Sequence, residues 1–220
     1  MVEPLKVPAY DLHPSVAYVQ SILSNLEAKT GRCLEAWVAL ARKTVPAAGQ
    51  ARIAWLKAQG LGTNQAALVA RRASAKPGHA FDDTPEGYLA AAPGYVNAQY
   101  SGKKAALRPL FERIVIIARG LGADVKVCPC ETMVPFYGHH VFAKVKPLAS
   151  RLDLGLALGD PAAVKDPTGR LKDNGGFKKK DRITHKIEIA SKADLDAMLG
   201  WLKRAYERDG KAQKPLPSMQ

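Results

Sequence analysis

Apolar residues recur every three to four positions through the first third of the chain. Between Ser15 and Lys29 the set Val16, Val19, Leu23 and Leu26 falls on one face of a helix, which Gly31 ends. Leu34, Trp37, Val38 and Ala41 mark a second helix over about Leu34 to Lys43. A third is expected over about Ala48 to Gln59, stopped at Gly60, and a fourth from a cap at Thr63 or Asn64 to near Ala73. From Ser74 to Gly102 the pattern is broken by Pro77, Gly78, Pro85, Gly87, Pro93, Gly94 and Gly102, which predicts loop with one brief helix after Thr84. The clearest helical stripe follows, Leu107, Leu110, Phe111, Ile114, Ala118 and Leu121, within Lys103 to Leu121.

Beyond Gly122 the period drops to two. Val125 and Val127 alternate with Lys126 and Cys128; a strand over about Thr132 to Tyr137 meets a turn at Gly138-His139, and His140 to Lys146 returns. Leu152, Leu154, Leu156 and Leu158 point one way and Arg151, Asp153, Gly155 and Ala157 the other, as in a strand with one buried face. A polar loop from Gly159 to Asp181 leads to a last strand with Ile183, Ile187 and Ile189. Ser191 with Asp194 then caps a final helix burying Leu195, Met198, Leu199, Leu202 and Tyr206. The expected fold class is α+β: a four-helix module, then a helix, an antiparallel sheet and a helix. The corresponding segments are an arm (1–14), a small helical domain (15–75), a linker or loop region (76–101), the α+β domain (102–209) and a tail (210–220).

Composition adds limits. In 220 residues, 47% hydrophobic content suffices for a core. The longest strongly apolar stretch, Ile114 to Ala118, is far below the roughly 20 residues that cross a bilayer. Polar residues near Met1 argue against a signal peptide. A cytoplasmic protein without membrane association is expected, with Cys33, Cys128 and Cys130 as free thiols. The net charge is +13 and uneven: residues 1–100 carry 10 Lys/Arg against 7 Asp/Glu, and residues 101–220 carry 23 against 13. An anionic partner is therefore expected to meet the second half.

Within that half, Lys165, Arg170, Lys172, Lys178, Lys179, Lys180, Arg182 and Lys186 crowd a glycine-containing segment with Phe177 just ahead of three lysines. Mobile cations contact phosphates, and an aromatic among them can stack on a base. This makes Lys172, Lys178, Lys179, Lys180, Arg182, Lys186 and Phe177 the candidate nucleic-acid or polyanion contacts, against the alternative of a solvated basic loop. Lys103, Lys104, Arg108, Lys203, Arg204 and Arg208 are candidates to join them. Cys128 and Cys130 share a strand face near Met133, His139 and His140, a donor set suited to zinc or Cu(I) if the hairpin gathers it; buried packing is the other reading. His185 lies on the face of Ile183, Ile187 and Ile189, as a core histidine or as a ligand or base lining a pocket. Trp37 and Trp55 would anchor a partner protein on the helical module if exposed, and core residues otherwise. Nucleophile elbows, HExxH helices and Walker-type loops are missing from the sequence, and the Gly-Leu-Gly triplets at Gly60 and Gly120 follow helices, as helix stops do. No motif asks for an enzyme, and the sequence leaves the cofactor unknown.

Two stretches carry a resemblance. KTGRCLEAWVALARK followed by IAWLKAQGLG resembles a small helical bacterial domain family of unknown function, whose pattern runs Lys-Thr-Gly-Arg, a small polar residue, then Leu-Glu-Glu-Trp. Here Cys33 stands where that family more often has Ser, and Ala36 replaces the second Glu. QYSGKKAALRPLFERIVIIARGLG, with FAKVKP and RLDLGLALGD, resembles a second family of unknown function often fused behind the first. That family is similar to small α/β proteins labelled frataxin-like iron chaperones and transport-associated proteins. The resemblance implies the two-part fold and, as an alternative to a polyanion binder, a small-molecule or iron-chaperone-like metal-binding protein. Hard iron ions favour clustered carboxylates, whereas the helix over Lys103 to Leu121 contains only Glu112.

Overall fold

A computed structural model describes residues 9–45, 49–76 and 83–211, which fall into two compact units: residues 13–88, and residues 89–211 with 9–12. In the first, four helices follow the apolar stripes: α1 (Pro14–Thr30), α2 (Leu34–Thr44), α3 (Gln50–Ala58) and α4 (Thr63–Ser74). His13 starts α1 by accepting the Ser15 N–H on Nδ1 at 3.1 Å, with Pro14 at the first helical position. Gly62 rather than Thr63 or Asn64 caps α4, its N–H donating to Gln65 Oε1 at 3.1 Å. Leu26, Trp37, Leu56, Ala66 and Val69 form the centre of this core. Trp37 is buried, its indole N–H donating to Thr30 Oγ1 at 2.9 Å, and Trp55 packs half-buried against the same core. Trp37 is thus a core residue and not an exposed anchor.

The segment expected to be mostly loop contains a helix, α5 (Pro85–Gln99), started where Thr84 Oγ1 accepts the Gly87 N–H. Pro93 sits inside it. The run Ala90, Ala91, Ala92 before the proline and the complete burial of Ala92 and Val96 outweigh the helix-breaking signal.

In the second unit the stripe expected as one helix divides at Pro109: a 3₁₀ segment over Gly102–Leu107 leads into α6 (Arg108–Arg119). Six strands follow: β1 (Lys126–Val127), β2 (Val134–Tyr137), β3 (Val141–Pro147), β4 (Leu152–Leu156), β5 (Lys172–Asp173) and β6 (His185–Ile189). They pair antiparallel in the order β1-β2-β3-β4-β6-β5. The last helix, α7 (Lys192–Lys211), starts as expected: Asp194 Oδ2 accepts from the N–H groups of Ala190 and Ser191 and from the Ser191 hydroxyl. α6 and α7 cover one sheet face, where Val145, Leu154 and Ile187 stand side by side across three strands. An extra residue in β3 opposite Phe136 and Tyr137 forms a bulge. It turns Phe142 into the core edge-on to Tyr206, ring centroids 5.4 Å apart.

The other sheet face carries Lys144, Lys146, Asp153, Lys172, Lys186 and Glu188. Gly155 also lies on this face but is buried, because Ile183 folds over it; a Cβ there would meet Ile183 Cγ2 at 2.7 Å. β5 lies inside the stretch expected as polar loop, and its two residues are too few for periodicity to register. The described end of the N-terminal arm is anchored. Asp11 N–H donates to Val127 O at 2.9 Å, and the Asp11 carboxylate accepts from Val127 N at 2.7 Å and from Arg119 Nη2 at 2.6 Å. The remainder of that arm (1–8) and most of the expected tail (212–220) lie outside the described residues.

Candidate anion-binding cleft

A cleft of about 880 Å³ opens between the end of β4, the loop entering β6 and the last turns of α7. The loop is built on local bonds. Asn174 N–H reaches Thr184 O at 3.0 Å, Asp181 N–H reaches Gly176 O at 2.9 Å, and Asp181 Oδ1 accepts the Ile183 N–H at 3.0 Å. Gly176 is required for this closure: a Cβ would lie 2.0 Å from Ile183 O. Phe177–Lys179 form a 3₁₀ turn and Lys180 takes the left-handed conformation, φ 57°. The segment expected to be mobile is therefore a folded turn that holds Phe177 and Lys180 at the cleft.

The opposite wall comes from Arg204 and Arg208, one helical turn apart on α7. Arg204 stacks over Trp201, its guanidinium carbon 5.5 Å from the ring centroid. Arg208 lies flat against Gly159, whose φ of 84° favours glycine and where a Cβ would meet Arg208 Cζ at 2.6 Å. Among the described residues Lys178, Lys179, Lys180, Arg204 and Arg208 make no ion pair. Three carboxylates also line the cleft. Asp181 faces Lys144 at 4.0 Å and Glu207 faces Lys203 at 3.8 Å. Asp209 is 2% exposed and fully engaged: Oδ1 accepts from Arg182 Nη2 at 2.7 Å and meets His140 Nδ1 at 3.2 Å, while Oδ2 accepts the His140 backbone N–H at 2.9 Å.

The expected contacts divide. Phe177, Lys180 and Arg182 line the cleft, and Lys178 and Lys179 stand exposed in the turn beside it. Lys172 and Lys186 do not belong to it. On the outer sheet face, Asp153 and Glu188 lie directly opposite one another and draw in three cations: Lys172 to Glu188 at 3.0 Å, Lys186 to Asp153 at 2.9 Å, and Arg151 to both acids at 3.3 Å. Arg170 pairs with Asp194. Lys103 and Lys104 line a separate depression of about 530 Å³ with Lys146 and Glu131, and Arg108 is paired with Glu112.

His185 is a core residue. It is 3% exposed, its Nδ1 lies 2.8 Å from Thr184 Oγ1, and burial lowers its pKa; Thr184, not His185, lines the cleft. The joint metal site is not formed. Cys128 and Cys130 lie by the β1–β2 turn, where Cys130 N–H bonds Met133 O, whereas His139 and His140 follow Tyr137 at the other end of β2. Burial pushes the Cys128 thiol up to about 12, with Asp11 adding, and raises Cys130 as well. Among the described residues no group of three His, Cys, Asp or Glu is arranged to hold a metal ion. None of the described helices is long and apolar enough to cross a membrane.

Asp209 and Gly159 escaped the reading of the residues. A single acid near the end of a helix carries no local signal, and Gly159 reads as an ordinary loop glycine. For Arg204 and Arg208 the signal is there, two cations at i and i+4, but nothing local says which surface they face.

Comparison with known families accounts for most of the chain. The model described as Domain of unknown function (DUF4287) matches residues 19–75, within the helical unit, and that described as Domain of unknown function (DUF5655) matches residues 96–209, the α+β unit with its cleft. No curated protein and no solved structure matches the chain. With more than half of its length matched by the second model, the chain belongs to the DUF5655 family, its helical unit resembling DUF4287.

Proposed function

We propose that the α+β unit is a binding module for phosphate-bearing polyanions, nucleic acid foremost, and that the cleft between the Phe177–Lys180 turn and α7 is its contact surface. One observation carries the reading. Lys178, Lys179 and Lys180 of the basic segment gather at or beside a single cleft with Arg204 and Arg208 of α7, and none of the five makes an ion pair among the described residues, while Arg170, Lys172, Arg182 and Lys186 of that segment are each paired with an acid. A nucleic acid carries a condensed atmosphere of cations, and unpaired Lys and Arg side chains that neutralise its phosphates release those counterions, which favours binding. The reading needs no reaction. The metal-binding alternative finds no grouped ligands among the described residues, and the adaptor alternative loses Trp37 as an anchor.

Fluorescence anisotropy of a labelled oligonucleotide at 50 and 200 mM salt tests the proposal. With five phosphates neutralised, the log–log slope of affinity against salt should be roughly −3.5 for a single strand and −4.5 for a duplex. Absence of binding at low salt would overturn it.

A further inference from the structure

We propose that the polyanion held in the cleft is single-stranded nucleic acid, with one base stacked on Phe177 and the neighbouring phosphates on Lys180, Arg204 and Arg208. The proposal rests on the polyanion reading and adds a strand state and a base contact to it. Phe177 is 49% exposed, and no other Phe, Tyr or Trp of this unit is exposed among the described residues. Singly exposed apolar residues are common on folded proteins, so what singles out Phe177 is its place at the wall of a basic cleft, where it offers an apolar face to an occupant. The backbone that carries Phe177 is held in place. Phe177 opens the 3₁₀ turn immediately after Gly176, where no other residue fits, and Lys180 N–H bonds its carbonyl at 3.1 Å. An exposed aromatic on a held turn beside cations suits an unpaired base with its phosphates, because stacking needs a free π-face.

A duplex does not offer that face. Its bases are stacked on one another and show only their edges in the grooves. The cleft, at about 880 Å³, has the size of a pocket that encloses one or two nucleotide units, and its cations lie within it on Arg204 and Arg208 of α7. A flexible single strand can lower one base into such a space while its phosphates stay on the rim lysines. Heparin-like polyanions satisfy the cations but leave Phe177 unused.

The test measures binding of 12-nucleotide single-stranded DNA and RNA, the matching duplex, and heparin to the full chain. Phe177→Ala, Phe177→Trp and the triple charge reversal Lys178→Glu/Lys179→Glu/Lys180→Glu are compared with the wild type, with circular dichroism to confirm folding. Single strands should bind about tenfold more tightly than the duplex. Phe177→Ala should weaken single-strand binding about tenfold with an unchanged salt slope and leave heparin binding as it was, while Phe177→Trp keeps full affinity. The triple reversal should flatten the salt slope for every ligand. Duplex binding as tight as single-strand binding, or Phe177→Ala binding like wild type, would overturn this inference and leave the polyanion reading standing. Failure of all four ligands to bind would overturn both.

Discussion

The two faces of the α+β unit use the same residue types to opposite ends. On the outer sheet face Arg151, Lys172 and Lys186 surround Asp153 and Glu188, and each cation is within 3.3 Å of an acid. At the cleft Lys178, Lys179, Lys180, Arg204 and Arg208 stand without such partners among the described residues, and the one deeply buried acid, Asp209, is taken by Arg182 and His140. The first group offsets repulsion between two acids that strand register forces together. The second group neutralises no acid among the described residues, although Arg204 stacks over Trp201 and Arg208 packs against Gly159. Cation count is therefore a poor guide to a binding surface, and the balance left after internal pairing is a better one.

The largest expected effect would break this contrast outright. Reversing the open set with Lys178→Glu, Lys179→Glu, Lys180→Glu and Arg208→Glu should lower oligonucleotide affinity at 50 mM salt by about a hundredfold, whereas Lys172→Gln with Lys186→Gln should change it by less than about threefold. Equal losses from the two sets, read by anisotropy, would erase the distinction. Asp209→Asn comes next. It weakens charge-assisted bonds around a buried carboxylate and should cost roughly 2–3 kcal/mol in urea unfolding. A variant as stable as wild type would mean that Asp209 is not the post on which Arg182 and His140 are held.

Titration sharpens the contrast further. The Glu188 carboxyl is held below its ordinary 4.5 chiefly by the hydrogen bond from Lys172, with Arg151, Lys172 and Lys186 charges adding. A depressed carboxyl contributes stability that is present above its ordinary value and lost as pH falls through the folded one. His185, lowered from 6.5 by burial, contributes with the same sign in a higher window, since the unfolded chain binds its proton first. Thermal melts from pH 7 to 3 should therefore fall in two stages, below 6.5 and again below 4.5, and Glu188→Gln should shrink only the second. The smallest effect is on binding: Glu188→Gln releases Lys172 and should raise polyanion affinity by about twofold. A low-pH stage undiminished by the substitution would separate Glu188 from the network.

Much of the fold is legible because it rests on local chemistry. The three-to-four spacing of Val16 to Leu26, the Ser191 and Asp194 cap and the alternation of Leu152, Leu154 and Leu156 each act within a few residues, and each element forms where its pattern lies. α5 was obscured because Pro93 and Gly94 signal loop more strongly than buried Ala92 and Val96 signal helix. The cleft was legible only in part. Phe177 and the lysine run stand out in sequence, but their pairing with Arg204 and Arg208 joins positions more than twenty residues apart.

From its residues alone this chain is determined to be a helical module followed by a helix-backed antiparallel sheet, with its positive charge concentrated in the second half. Tertiary structure decided which of those charges remain available. Strand register set Asp153 beside Glu188 and so consumed Arg151, Lys172 and Lys186, and the packing of α7 brought Asp209 to Arg182. An ion pair depends on distances between groups remote along the chain, and those distances exist only once the core has closed.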